Sequence, residues 1–318
     1  MTCHNCQTAC RKFGKHRNGL QRFRCDQCRK TFTEDHATPL DSMRLPMDKA
    51  TAILKLMVEG MSVRSIERIT GVHRDTILRL LLLSTEKITA KLRHEFENLV
   101  INRIQVDELH CFVQKRERRV SIEESDEVGE QYTYIGMDAD TKLVFSWLTG
   151  KRSTVNTITF MRDLYSRTAW GLHPQLTSDG WGPYRLAVAA TFRDSVDFAQ
   201  LQKVYGPSSP GRAGYAPPRF RESVKRVVTG NPDRRHISTS YIERQNLTLR
   251  MMSRRFTRLT NAFSKSLKHL KAAITLHFAY YNFCRIHQTL RTTPAMAASL
   301  TNHVWTVAEL INVQEHAS

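Results

Sequence analysis

The stretch from Ile101 to Val113, INRIQVDELHCFV, decides the reading of the fold. Its apolar residues Ile104, Val106, Leu109, Cys111 and Val113 have the spacing of a strand, not of a helix, and Asp107 stands in their midst. Outward from it, Gln131 to Met137 and Lys142 to Thr149 are two more strand candidates, with a turn from Asp138 to Thr141 between them. Val155 to Thr168 carries Ile158, Met161, Leu164 and Tyr165 at helical spacing. Gln175 to Ser178 reads as a short strand that delivers Asp179 and Gly180 at its end. Gly182 to Phe192 reads as a helix and Phe198 to Tyr205 as a last strand. A three-strand meander followed by alternating helices and strands predicts an α/β sheet with helices on its faces.

This is the order of a ribonuclease-H-like fold, and three carboxylates fall where such a fold would hold metal. Asp107 lies along the first strand, Asp179 at the carboxyl end of the central strand, and Glu243 opens the long helix after the last strand. Carboxylate oxygens suit Mg²⁺. Two such ions a few Å apart would hold the attacking and leaving oxygens of an in-line phosphoryl displacement. Neighbouring strand residues point to opposite faces, so Asp107 and Glu108 are not both expected to reach the ions. Asp107, which shares a face with Leu109 and Cys111, is the expected ligand. Each carboxylate also has a plain structural reading. Asp107 could be a solvated strand residue, Asp179 a turn former before Gly180, and Glu243 the capping-box partner of Ser240. Asp138 and Asp140 read as hairpin turn residues.

The chain has 318 residues, 41% of them apolar, enough for a catalytic domain and a smaller appendage. Its 48 Lys and Arg outnumber 30 Asp and Glu, giving a formal charge of +18 and a field that attracts polyanions. Nucleic acid is the first expected partner, a bilayer surface the second. No apolar run approaches the roughly 20 residues that span a bilayer; Ile77 to Leu83 is short and broken by Arg79. Met1 to Lys12 carries cysteines and charges in place of a signal core, so a reducing cytoplasm is expected. There, cysteines argue for metal ligation or burial, not disulfides. Cys3-x-x-Cys6 and Cys25-x-x-Cys28 are two knuckles that predict a zinc ribbon holding one structural Zn²⁺. Phe23 and Phe32 are its expected mini-core, and the basic stretch between the knuckles suits phosphate contact. Cys10 falls outside the pattern, and Cys111 and Cys284 read as buried fillers.

Pro46 to Glu59 reads as a helix closed by Gly60. Ser62 caps the next, whose stripe is Val63, Ile66 and Ile69, and Gly71 turns the chain into a third helix from His73 to Leu83. Two short helices joined by a glycine-bearing turn suggest a helix-turn-helix, with His73, Arg74, Asp75 and Arg79 as candidate base readers. A plain helical connector is the alternative. Thr85 to Asn98 reads as a further, charged helix.

The stretches Thr177-Ser178-Asp179-Gly180-Trp181 and Tyr241-Ile242-Glu243-Arg244-Gln245-Asn246-Leu247 resemble the DDE transposases of the insertion-sequence-one family. So do Val106-Asp107-Glu108, Phe263-Ser264-Lys265-Ser266 and Gln21-Arg22-Phe23-Arg24-Cys25. The resemblance runs from Cys3 to about Pro294. It implies a bacterial mobile element whose product binds terminal inverted repeats of double-stranded DNA, cuts them and joins them to target DNA. It also implies that Asp107, Asp179 and Glu243 hold catalytic Mg²⁺. The best-known members are read from two overlapping frames, whereas one continuous chain carries both halves here. The Pro-, Gly- and Arg-rich segment from Gly206 to His236 also departs from the pattern and reads as a loop or small insertion that grips DNA, or as a solvated linker.

The expected layout is a zinc ribbon (1–40), a helix-turn-helix with linker helix (41–100), a catalytic domain (101–292, with a basic insertion at 206–236) and a helical tail (293–318). After Glu243, Arg250, Arg254 and Arg258 recur every four residues, as on one helix face lying along phosphates, and Arg244 is a candidate phosphate clamp. Asn246 is a candidate for positioning the scissile strand. Leu267, Leu270, Ile274, Phe278 and Tyr281 form a stripe expected to pack on the sheet, and Pro294 is expected to open a final helix. A homo-oligomer that holds two DNA ends is expected, in a nucleoid-associated, cytoplasmic protein. The rival readings are a DNA-binding regulator with a decayed core and a metal nuclease that stops at hydrolysis.

Overall fold

The computed structural model describes residues 1–311 except 4, 18, 34–42, 44, 207–218 and 258–260. The chain divides into two compact units, Met1–Arg44 and Leu45–Ser318.

The first unit is a three-stranded antiparallel sheet of β1 (Arg11–Lys15), β2 (Gln21–Arg24) and β3 (Thr31–Thr33). Phe23 and Phe32 face each other across β2 and β3 but are only half-buried. Among its described residues the fully buried side chains are two cysteines, Cys3 and Cys25. Its described residues therefore form almost no apolar core of the kind that drives folding.

The second unit begins with α1 (Met47–Val58), α2 (Val63–Thr70) and α3 (Arg74–Glu95). The Ser62 hydroxyl accepts the Ser65 N–H at 3.1 Å and caps α2. Gly71 closes that helix at φ 67°, a conformation that costs a side-chain-bearing residue more than glycine. Glu67 reaches over this turn to accept the Arg74 N–H at 2.9 Å, which serves an orphan donor at the start of α3. Two expectations fail here. Ile69 is 62% exposed, so the stripe of α2 reduces to Ile66 and half-buried Val63. And no break follows Leu83: α3 is one helix of 22 residues. The Thr85 hydroxyl is absorbed by its own helix, donating to the Leu81 carbonyl at 2.8 Å, and does not compete with the backbone ladder.

The core is a six-stranded sheet ordered β6-β5-β4-β7-β8-β9. Its strands are β4 (Arg103–Val113), β5 (Gly129–Asp138), β6 (Val144–Gly150), β7 (Gln175–Ser178), β8 (Asp197–Tyr205) and β9 (Phe220–Thr229), with α4 (Thr154–Arg167) after β6 and α5 (Pro183–Phe192) after β7. The β4–β5–β6 meander is antiparallel, and β7 and β8 add in parallel. This mixed α/β arrangement follows the element order expected from the sequence. The Asp138 carboxylate caps the β5–β6 turn, accepting the Asp140 and Thr141 N–H groups at 3.1 and 3.2 Å. A Cβ on Gly136 would lie 2.7 Å from Leu164 Cδ1, so glycine there lets α4 seat tightly on β5.

On the other face, α6 (Ser240–Met252) and α7 (Leu267–Phe283) cover the sheet. Leu267, Leu270, Ile274, Phe278 and Tyr281 pack against Leu109, Cys111, Ile135 and Val144. Asn282, fully buried, behaves as a strand partner for the β6 edge: its amide accepts the Val144 N–H at 3.0 Å and donates to the Val144 carbonyl at 2.7 Å. Thr293 caps α8 (Pro294–Ala297), and α9 (Val307–Ile311) follows, so the helix opened by Pro294 is not the last. No helix among the described residues is long and apolar enough to cross a membrane.

The segment Gly206 to His236 is not simply a loop. Its second part is β9, antiparallel to β8, and Gly206 and Arg219 close the base of the connection at 2.8 Å. Eight of the ten β9 residues are exposed. With neither face covered, no apolar alternation is required, and the strand left no period-two signal.

Candidate active site

β7 is four residues long, and the strands on either side of it continue past its end. Gln105 on β4 stands beside Thr177, and Gln200 on β8 beside Ser178. Beyond Ser178 the sheet therefore has a notch between the outer half of β4 and the outer half of β8. Asp179 sits at the head of this notch, at the carboxyl end of a parallel strand, where open α/β sheets place their ligand sites. Its Oδ1 accepts the Trp181 N–H at 2.9 Å. Gln200 braces the same turn, donating to the carbonyls of Asp179 and Trp181 at 2.9 and 3.2 Å.

Asp107 and Glu108 flank the notch. Asp107 turns to the α6 face, where its Oδ2 accepts Asn246 Nδ2 at 2.7 Å. Glu108 turns to the α5 face, where Oε2 accepts Arg152 Nη2 at 3.0 Å. Yet one oxygen from each of Asp107, Glu108 and Asp179 lies within 4.8 Å of the others. The expectation that strand alternation separates Asp107 from Glu108 is thus overturned. Alternation divides two faces only where the sheet continues between them, and here β7 has stopped.

Like charges this close, away from water, resist ionisation. Burial first, then the charges of Asp179 and Glu243, pushes Asp107 up to about 7. Burial and Asp179 push Glu108 to about 7 against the pull of Arg152. The Tyr184 hydroxyl lies beside Glu108 but outside hydrogen-bonding geometry. Arg152 is the cation that reaches this group among the described residues. Its guanidinium packs over the Trp181 ring at 3.7 Å and comes within 4.0 Å of Asp179.

Glu243 is not one of the three clustered acids, although its charge is felt at Asp107. It pairs with Lys203 of β8 and accepts the Thr239 hydroxyl at 2.6 Å. The capping box with Ser240 does not form; the N-cap is Thr239. The first turn of α6 is instead held by Gln105, whose Oε1 accepts the Tyr241 and Ile242 N–H groups at 3.0 and 3.1 Å. Gln105 and Asp107 share a strand face, so one strand presents a carboxylate and locks the helix that carries Glu243 and Asn246. Sequence reasoning passed over Gln105, Arg152, Gln200 and Lys203. The one available signal was Gln105, a polar residue between Ile104 and Val106 in a strand expected to be buried.

Four sulfurs, from Cys3, Cys6, Cys25 and Cys28, also lie within 4.8 Å of one another, in the first unit. The two knuckles are built alike. Cys3 N–H donates to the Thr8 carbonyl at 2.8 Å and Cys25 N–H to the Lys30 carbonyl at 3.0 Å. Gln7 and Arg29, each just after the second cysteine of its pair, have φ of 56° and 57°. The backbone N–H of Cys28 is the largest influence that lowers the Cys25 thiol to about 6. Cys10 stays outside the group, donating to the Thr8 carbonyl.

The expected DNA-contacting residues are dispersed. His73, Arg74 and Arg79 are exposed along the start of α3, and Arg244 is exposed beside Glu243. Arg250 lies in α6, but the helix stops at Met252, Ser253 is extended, and Arg254 opens a 3₁₀ turn that buries Phe256 in the core. The four-residue repeat therefore does not lie on a common helix face; burial of Phe256 overrides the periodicity. Arg258 lies outside the described residues.

No protein-family profile matches the chain, and no curated protein does. Among solved structures it is similar to the piggyBac transposase in a cryo-EM structure of the synaptic complex with hairpin DNA. The TM-score is 0.39 and the identity 11%, over 85% of this chain and 72% of that chain. It is also similar to a chain of the Mos1 strand transfer complex, with a TM-score of 0.21 and 13% identity, over 52% of this chain and 60% of that one. The reading of the site rests on its own geometry.

Proposed function

We propose that the chain is a transposase of the DDE type, akin to the insertion-sequence-one family, which binds the inverted repeats at the ends of a bacterial element, cuts them and transfers the strands to target DNA. The observation that carries this reading is the group of three carboxylates at the sheet notch, in a chain of charge +18. So many acidic oxygens with one guanidinium between them form a donor set suited to a hard divalent cation, not to an apolar or anionic ligand. Asp107, Asp179 and Glu243 are the residues assigned to hold Mg²⁺. Bound there, the ions would activate an attacking hydroxyl and neutralise charge on the leaving oxygen of a phosphodiester.

The remaining work falls to the chain itself. Asn246 fixes the rotamer of Asp107 through its amide hydrogen bond. Gln105 fixes the first turn of α6. Glu243 must exchange Lys203 for the cation, and the freed Lys203 is then available to a DNA phosphate. Arg244, beside Glu243, and Arg250 and Arg254, at the far end of α6, are assigned to phosphates; they position the backbone and carry no sequence information. His73, Arg74 and Arg79 at the start of α3 are assigned to base edges, with α2 and α3 as the helix-turn-helix. The four cysteines are assigned one Zn²⁺, which suits a tetrahedral thiolate set. Two ends cut in one reaction call for a multimer of this chain on DNA.

Purified protein, labelled element ends and Mg²⁺ test the reading, with a supercoiled plasmid as target. Wild type is expected to nick the ends and join them to the plasmid, and Asp179→Asn to do neither. Equal cutting by both proteins would overturn the site; cutting without joining would reduce the activity to that of a nuclease.

A further inference from the structure

Glu108 has no place in the carboxylate triad assigned above, yet it belongs to the same cluster. Its side chain is 1% exposed. Its contact with Arg152 is a single hydrogen bond through Oε2; Glu108 Oε1 and Arg152 Nε are both buried outside hydrogen-bonding geometry, with the Tyr184 hydroxyl beside the same carboxylate. Arg–carboxylate pairs frequently close as a two-pronged fork, with two parallel N–H···O bonds, and this one does not. A carboxylate oxygen left unpaired in a buried site costs its full desolvation penalty. Here the carboxylate has an oxygen within 4.8 Å of oxygens from Asp107 and Asp179. Arg152 meanwhile is held against Trp181 and lies between two of the acids, 3.0 Å from Glu108 and 4.0 Å from Asp179. One positive charge thus serves an acidic group that exceeds it.

We infer that Glu108 is a further donor to the divalent cation held by Asp107 and Asp179, and that Arg152 is the internal counter-cation with which that metal competes. This rests on the reading of the cluster as a cation site and adds to it a ligand from the opposite face of β4. The two residues then have opposite effects. Removing Glu108 takes away a donor, and removing Arg152 takes away a competitor. A purely structural ion pair would make both changes act in the same direction.

Binding of Mn²⁺ to the full chain, with the thiols first saturated by Zn²⁺, separates the possibilities. Free Mn²⁺ is read by its paramagnetic resonance signal, and folding is monitored by circular dichroism. Glu108→Gln is expected to weaken Mn²⁺ binding by about ten-fold or more, in the range that follows from disturbing a metal's ligand shells. Arg152→Gln is expected to tighten it. If Glu108→Gln binds Mn²⁺ like wild type while Asp179→Asn does not, the role of Glu108 is refuted and the cation site stands. If Asp179→Asn also binds normally, the cation site itself is refuted. Should Glu108→Gln fail to fold, Arg152→Gln decides alone: binding no tighter than wild type overturns the inference.

Discussion

Cys3, Cys6, Cys25 and Cys28 are drawn together by two short turns in a unit whose buried side chains, among the described residues, are themselves cysteines. Asp107, Glu108 and Asp179 are drawn together by a six-stranded sheet that Leu109, Ile135, Ile274 and Phe278 would hold in place without them. In the first region an ion would supply the folding energy that apolar burial cannot. In the second, apolar burial supplies the energy that forces like charges together. Each cluster suits a different cation: soft thiolates on two tight knuckles, hard carboxylates at a strand end.

The largest expected effect breaks this comparison if it fails. Stripping zinc, or Cys25→Ser, is expected to abolish amide-exchange protection throughout β1, β2 and β3 and to leave β4 and β5 protected. The scale is that of zinc-dependent folding, about 10 kcal/mol or more. Persistent protection in β1 to β3 would show that this unit folds without its ion.

The acidic cluster should respond to pH in the metal-free protein. Asp107 and Glu108 are raised from 3.8 and 4.5 to about 7, so between those values the folded state binds more protons than the unfolded chain. Stability is therefore expected to fall as pH rises from about 4 to about 7, by a few kcal/mol in all. Thermal unfolding in chelator across this window checks it. Asp107→Asn should flatten the fall, and added Mg²⁺ should reverse it. A metal-free protein that gained stability over the same window would contradict the assigned repulsion.

A smaller effect tests how the second region is braced. Gln105→Ala leaves two N–H groups at the start of α6 without their acceptor and is expected to cost about 1–3 kcal/mol in urea unfolding. No loss would show that water replaces the glutamine. Smallest of all, Arg250→Ala and Arg254→Ala should each lower the salt slope of DNA binding by about 1, without altering sequence preference. A change in preference would mean that these residues read bases.

Strands β4 to β8 were legible because they are bounded by punctuating residues and rich in buried apolar side chains, so their patterns are physical necessities. The limits of β7 and the delivery of Asp179 followed from Gln175 to Ser178 alone. The exposed strand β9 was not legible, because nothing on either side of it demands apolar residues. The continuity of α3 was hidden by Ser84 and Thr85, which read as a boundary until the Thr85 hydroxyl is seen bonded within its helix. At the site, Asp107 and Asp179 could be selected by position, but their approach to Glu108 could not. That approach depends on where a neighbouring strand stops, a property of register and not of any single segment. The pairing of Glu243 with Lys203 is likewise a contact between distant elements with no local signature.

The proposed convergence of Asp107, Asp179 and Glu243 on bound metal can be tested by replacing Mg²⁺ with Fe²⁺ and generating hydroxyl radicals at the bound iron, which cut the nearby polypeptide. Three sets of fragments are expected, from breaks near residues 107, 179 and 243, all suppressed by excess Mg²⁺. Breaks at the first two places with none at the start of α6, or a pattern that Mg²⁺ does not suppress, would contradict the account.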